Sequence, residues 1–187
     1  MIDGPRLPTL EADRVRLRWL EPGDVDALFA VFSNAEVARY WSRPAMTSRA
    51  QAEALLLEIH ACFARRELFQ WGIARRVDDI VIGTCTLADV SATHRRAELG
   101  YALHRAHWGA GLAREALERL LELAFDGLGL HRLEADVDPR NLRSIASLER
   151  LGFQREGYLR ERWHLNDEIA DALFYGLLAR EWRARAR

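Results

Sequence analysis

The chain predicts a single α/β (α+β) domain, and three observations carry that reading. Runs alternating apolar and polar residues, the period of a half-buried strand, are interleaved with runs whose apolar residues recur at three and four, the period of an amphipathic helix. No proline-rich or serine-rich linker, internal repeat or low-complexity segment divides the 187 residues, a length that suits one core. A glycine-containing turn, His104 to Ala116, joins a strand-like run to a helical one. The predicted order is β-α-α-β-β-β-α-β-α-β-β.

Residues 1–12 lack periodicity, hold Pro5 and Pro8, and read as a leader to a domain spanning 13–187. Val15-Arg16-Leu17-Arg18-Trp19 alternates and predicts the first strand. Asp24 is placed to cap a helix with Val25, Leu28, Phe29 and Phe32 on its apolar stripe. Residues 34–47 read as irregular. Thr47 or Ser48 then caps a second helix, running to about Arg66 with Ala52, Leu55, Leu56, Ile59 and Phe63 inward.

Phe69–Arg75 and Ile80–Leu87 predict a hairpin turning at Asp78-Asp79, and Gly83 marks a bulge or a close backbone approach. Ala97–Leu103 predicts the strand entering the glycine turn. The helix after it has Leu112, Ala116, Leu117, Leu120, Leu121 and Ala124 on one face and stops at Gly127 and Gly129. Leu133–Val137 predicts a buried strand. A helix opening at Asn141 and stopping at Gly152 follows it. Phe153–Leu165 and Ala172–Leu178 predict two last strands turning at Asn166-Asp167. The basic end, Arg180 to Arg187, reads as a frayed terminus.

Composition excludes several classes of function. A formal net charge of −1, with acids interleaved among the arginines, gives no support for nucleic-acid binding. No apolar run reaches membrane-spanning length and no signal segment opens the chain. Cys62 and Cys85 stand far apart, so neither a disulfide framework nor a metal site is expected, and a reducing cytoplasm fits best.

The turn His104 to Ala116 is the first candidate site. Gly109 and Gly111 let backbone approach a ligand, and a helix start offers unpaired N–H groups and the positive dipole end to an anion. On the glycines alone, a pyrophosphate cradle and an ordinary turn read equally well. The Gly-Lys-Ser/Thr of a P-loop and the three-glycine dinucleotide fingerprint are both missing.

The flanks add information. With Thr9–Arg18, Ile82-Gly83, Glu98-Leu99-Gly100-Tyr101, Trp108–Ala116, Asn141–Ser144 and Leu151-Gly152-Phe153 in this order, the chain resembles the GNAT N-acetyltransferases. The resemblance points in particular to the branch containing the ribosomal-protein N-terminal alanine acetyltransferases. It covers nearly the whole chain and is specific for fold and cofactor, far less so for substrate. It implies a mixed, mostly antiparallel sheet flanked by helices, with a splayed strand pair holding acetyl-CoA. Gly111 and Ala113 match the end of the family's acetyl-CoA signature, while Trp108 stands where Arg or Gln is usual.

The resemblance implies that the backbone of Trp108, Gly109, Ala110, Gly111, Leu112, Ala113 and Arg114 holds the pyrophosphate, and that Tyr101, Ala102 and Leu103 pair with the pantetheine arm. A backbone N–H there would polarise the thioester carbonyl, worth roughly 3 kcal/mol by analogy with oxyanion holes. Asn141 resembles the family's cofactor-contacting asparagine, and its position equally suits a helix N-cap. Many relatives place a tyrosine seven residues later as general acid. Leu148 stands there, and Ser144 matches the serine of the ribosomal-protein branch.

Glu98 is the candidate base for an amine of ordinary pKa near 8, set against a plain strand-edge carboxylate. Tyr40, Trp41, Trp71 and Trp163 are candidates for an acceptor pocket or for core packing. The expected activity is acetyl transfer from acetyl-CoA to a primary amine, a protein or peptide N-terminus, by direct attack in a ternary complex of a monomer or homodimer. A small-molecule amine acceptor, such as an aminoglycoside, a polyamine or an amino acid, is the alternative, and a non-catalytic acyl-CoA-binding module is a further one.

Overall fold

The computed structural model describes residues 2, 4–165 and 168–185. Eight strands form one sheet: β1 (Leu10–Glu11), β2 (Val15–Arg18), β3 (Leu68–Arg75), β4 (Val81–Ser91), β5 (Arg96–Leu103), β6 (Arg132–Val137), β7 (Gln154–Leu165) and β8 (Glu168–Leu178). Their order is β1-β2-β3-β4-β5-β6-β8-β7, antiparallel throughout except where β5 meets β6. Among the described residues six α-helices pack around it: α1 (Val25–Phe32), α2 (Ala35–Ala38), α3 (Arg49–Ala64), α4 (Leu112–Glu122), α5 (Leu142–Leu151) and α6 (Ala179–Arg185).

The core lies on both faces of the sheet. On one face, Leu17, Trp71, Ile73, Cys85, Leu99 and Leu133 pack with Leu117 and Leu120 of α4 and Leu148 of α5. On the other, α1 and α3 press Leu28, Phe32, Leu56 and Ile59 onto Ala74, Val81 and Ala102. The close approach expected at Gly83 is real, because a Cβ there would fall 2.3 Å from the Ala102 carbonyl oxygen.

Several elements differ from the sequence reading. Leu10 and Glu11 of the expected leader form β1, pairing with Leu17 and Arg16, and Ile2 and Leu7 are buried. Residues 34–47 contain α2, where the Asn34 side chain accepts from the N–H groups of Glu36 and Val37. Asp24 gives α1 no side-chain cap; its carboxylate instead takes the Arg18 guanidinium and the Glu21 N–H. Residues 180–185 of the basic end fold within α6, held by Arg183 on Asp126 and Arg185 on the Arg150 carbonyl. The turn expected at Asn166-Asp167 lies outside the described residues.

Candidate active site

The site begins where the sheet opens. β5 pairs with β6 in parallel over Arg96–Arg132, Ala97–Leu133 and Glu98–Glu134. Beyond Glu98 the two strands part, while β5 stays bonded to β4 as far as Leu103. The β6-facing edge of Leu99–Leu103 is left with backbone groups that no neighbouring strand takes.

Side chains alternate across this gap. Leu99, Tyr101 and Leu103 face the α4 and α5 layer. Glu98, Gly100 and Ala102 face the α1 and α3 side, with Glu134 and Asp136 of β6 beside them.

The glycine turn sits at the end of β5. Gly109 and Gly111 have φ of +77° and +79°, a region that side chains with a Cβ avoid. A Cβ on Gly109 would meet nothing within 4 Å, so the space over the turn is open. Gly111 is the N-cap of α4, and among the described residues no side chain caps the first-turn N–H groups. These donors stay free at the positive end of the helix.

Two residues that sequence reasoning gave no role hold this turn in place. Arg14 donates to the Ala110 carbonyl at 2.9 Å and to the Glu115 carboxylate at 2.8 Å. Glu115 also accepts the N–H groups of Arg14 and Val15. Burial pushes the Glu115 carboxyl up, but these donors outweigh it and hold it below the usual range. Trp108 is a clasp: its indole N–H donates to the Leu103 carbonyl at 2.7 Å. The guanidinium groups of Arg105 and Arg143 lie 4.9 and 4.8 Å from its ring centre, bringing positive charge beside the turn.

Asn141 caps α5, its side-chain oxygen accepting the Ser144 N–H at 3.2 Å. The Ser144 hydroxyl lies 3.4 Å from the Tyr101 hydroxyl, across the gap between α5 and β5. Leu148 is in the core at 2% exposure.

On the opposite face, Glu98 is half-buried and has no ion pair or side-chain hydrogen bond among the described residues. Burial raises its carboxyl above the usual range; Asp136, Asp89 and Glu134 add to this and Arg162 opposes it. Three acids on this side are paired. Glu134 binds Arg96 and Arg132, Asp136 binds Arg162, and Asp138 binds Arg140. Gln70 and Thr86 lie in register with Gly100 on this face, and Thr84 with Ala102. The Gln70 amide nitrogen and the Thr84 hydroxyl are buried without a hydrogen-bond partner among the described residues.

A family model described as an acetyltransferase (GNAT) domain matches residues 14–154. The chain belongs to the GNAT acetyltransferase family. Among curated relatives, the uncharacterized N-acetyltransferase YoaA of Bacillus subtilis is 37% identical over 171 residues, covering 91% of this chain and 97% of the relative. The structure of spermidine N-acetyltransferase from Vibrio cholerae, in complex with CoA and spermine, superposes with a TM-score of 0.79 at 25% identity, over 91% of this chain and 98% of that one. The ribosomal-protein-S5-alanine acetyltransferase of Vibrio fischeri gives 0.80 at 20% identity, over 94% and 98%, a likeness of fold.

This acetyltransferase takes its acetyl group from acetyl-CoA. Its residues fit that donor. The open space over Gly109 and the uncapped amides at the start of α4 suit a pyrophosphate, and the free edge of Tyr101–Leu103 suits an amide-bearing arm.

The four aromatic candidates for the acceptor pocket separate. Trp71 is a correction: it is fully buried on the α4 and α5 face and gives its indole N–H to the Pro8 carbonyl, so no surface remains for an acceptor. Trp41 packs against Phe32 in the α1 cluster. Tyr40 reaches the Arg140 carbonyl beside Asn141, and Trp163 donates to Asp136; both border the Glu98 face. The neutral polar row Gln70, Thr84 and Thr86 lies buried within this side of the sheet, and its alternation reads as ordinary strand patterning until the sheet faces are known.

Proposed function

We propose that this enzyme acetylates the N-terminal amine of a peptide or protein by direct transfer in a ternary complex. The observation that carries the reading is the two-sided gap between β5 and β6. Tyr101 and Ser144 stand on one face, and Glu98, a half-buried carboxylate with no ion pair among the described residues, stands on the other. Acetyl-CoA supplies the activated acyl carbon when bound. The amides of Gly109–Arg114 would hold its pyrophosphate, and Asn141 would meet it from the start of α5. A backbone N–H of Tyr101–Leu103 would polarise the thioester carbonyl. Glu98 accepts the proton that the amine sheds, directly or through water.

Charge supports few cations rather than many on the acceptor side. Glu134, Asp136 and Asp138 already hold arginines, which leaves half-buried Glu98 and exposed Asp89 without an ion pair among the described residues. A polyamine gains most from several free carboxylates. A covalent acyl-enzyme finds no support in Cys85, where complete burial pushes the thiol pKa up and away from the reactive thiolate.

Coenzyme A release decides between acceptors. The panel is a peptide with free N-terminal alanine, the same peptide N-acetylated, spermidine and an aminoglycoside. We expect turnover of the free peptide, none of the blocked one, and a lower kcat/KM for spermidine. A higher kcat/KM for spermidine, or an unmodified alanine peptide, overturns the peptide assignment in favour of a small-molecule amine.

A further inference from the structure

Expelling coenzyme A as a thiolate leaves a charge on sulfur that a nearby O–H can quench. Two hydroxyls meet on the α4 and α5 face of the gap, Tyr101 from β5 and Ser144 from α5, 3.4 Å apart. Leu148, one turn further along α5, is in the core and carries no proton. Tyr101 is half-buried and its hydroxyl has no partner other than Ser144 among the described residues. A phenol gives up a proton far more readily than an aliphatic hydroxyl does. Tyr101 also belongs to the stretch whose free backbone edge lines the gap, so its ring starts from the same strand that borders the reacting centre.

We infer that Tyr101 is a catalytic residue, the proton donor to the departing sulfur, and that Ser144 is its positioning residue. The inference rests on the ternary-complex reading above. The amine lone pair forms the C–N bond, and the C–S bond breaks with its electron pair going to sulfur. The ammonium proton passes to Glu98 and the phenol proton passes to sulfur. Water reprotonates the phenolate by way of the Ser144 hydroxyl and takes the proton from Glu98, so the enzyme returns to its starting state.

The test combines turnover with a measurement made on bound coenzyme A alone. Tyr101→Phe removes one oxygen; its kcat is expected to fall at least about 100-fold, the usual span for a lost general acid. KM and calorimetric affinity for acetyl-CoA should stay within about threefold, since pocket shape is kept. Ultraviolet titration of bound free coenzyme A, at one mildly alkaline pH, should find a smaller thiolate fraction in Tyr101→Phe, because the phenol hydrogen bond that favours the thiolate is gone. Ser144→Ala should slow turnover about tenfold by itself, Ser144→Thr should restore most of it, and Ser144→Ala should add nothing on the Tyr101→Phe background.

An unchanged thiolate fraction together with a kcat loss under tenfold in Tyr101→Phe overturns the assignment. So does an additive double variant, as far as Ser144 is concerned. If wild type releases thiol with spermidine and not with the alanine peptide, the acceptor reading fails while the Tyr101 test proceeds unchanged on spermidine. The thiolate measurement needs no acceptor.

Discussion

Glu98 and Glu115 are both glutamates near the mouth of the site, and their surroundings drive them in opposite directions. Glu98 is half-buried, and its partial desolvation, with Asp136, Asp89 and Glu134 nearby and Arg162 in partial opposition, holds its carboxyl above the usual range. A base works only when deprotonated, so kcat/KM should fall as pH drops through that raised value. Glu98→Gln should lose about 100-fold in kcat/KM and abolish the acid limb; a retained limb assigns it to another group. Glu115 is held below the usual range, its donors from Arg14 and Val15 outweighing the upward push of burial. Its stabilisation is therefore present above the ordinary carboxylate pKa and is lost as pH falls through the lowered one. Glu115→Ala should cost about 1–2 kcal/mol at neutral pH, by leaving the two N–H groups unpaired. Urea denaturation at neutral and acid pH should find that difference shrinking in acid. Glu98 could be nominated from the sequence as a strand carboxylate ahead of a glycine turn. The pairing of Arg14 with Glu115 could not, because they are 101 residues apart and the motifs that contain them give neither one a partner.

At the scale of elements, the α4 start joins backbone geometry to ligand binding. Gly111 at φ +79° caps a helix whose first amides have no side-chain partner, with Arg14 3.3 Å from where a Cβ would stand. Gly111→Glu adds left-handed strain of about 1–2 kcal/mol, fills the space above the turn and brings a negative charge to an anion site. Calorimetry should detect no acetyl-CoA binding, and retained affinity would remove the pyrophosphate from this turn. Leu148 makes a contrasting case. Leu148→Tyr would force a larger, polar ring into a packed core and should cost about 1–3 kcal/mol in thermal denaturation without raising turnover. The glycine turn and the Asn141 cap were legible because their chemistry is local. α2 and α6 were not, since each is short and gains its stability from Asn34 or from ion pairs to distant segments.

The whole molecule separates two approaches to one opening. Helices α4 and α5 cover the face that would hold acetyl-CoA, and α1 and α3 cover part of the face that carries Glu98. The parallel pairing of β5 and β6 ends after three residues, and this makes the opening between them. A ligand that bridges β5, α4 and α5 should stabilise the fold as a unit. At 100 times its Kd, acetyl-CoA should add about 2.7 kcal/mol to unfolding, measured in urea, and Gly111→Glu should lose that gain.

The sequence by itself determined the order of the longer strands and helices, the glycine turn, the Ser48 and Asn141 caps and the family, because these depend on periodicity and on backbone demands that local residues satisfy. Only the tertiary structure decided which face each strand residue occupies. It put Trp71 in the core, left Glu98 without an ion pair among the described residues while Glu134 and Asp136 gained arginines, and set the Tyr101 and Ser144 hydroxyls side by side. Those outcomes follow from strand register and helix placement. A period of two states that neighbours point apart, and only packing says which side of the sheet is which.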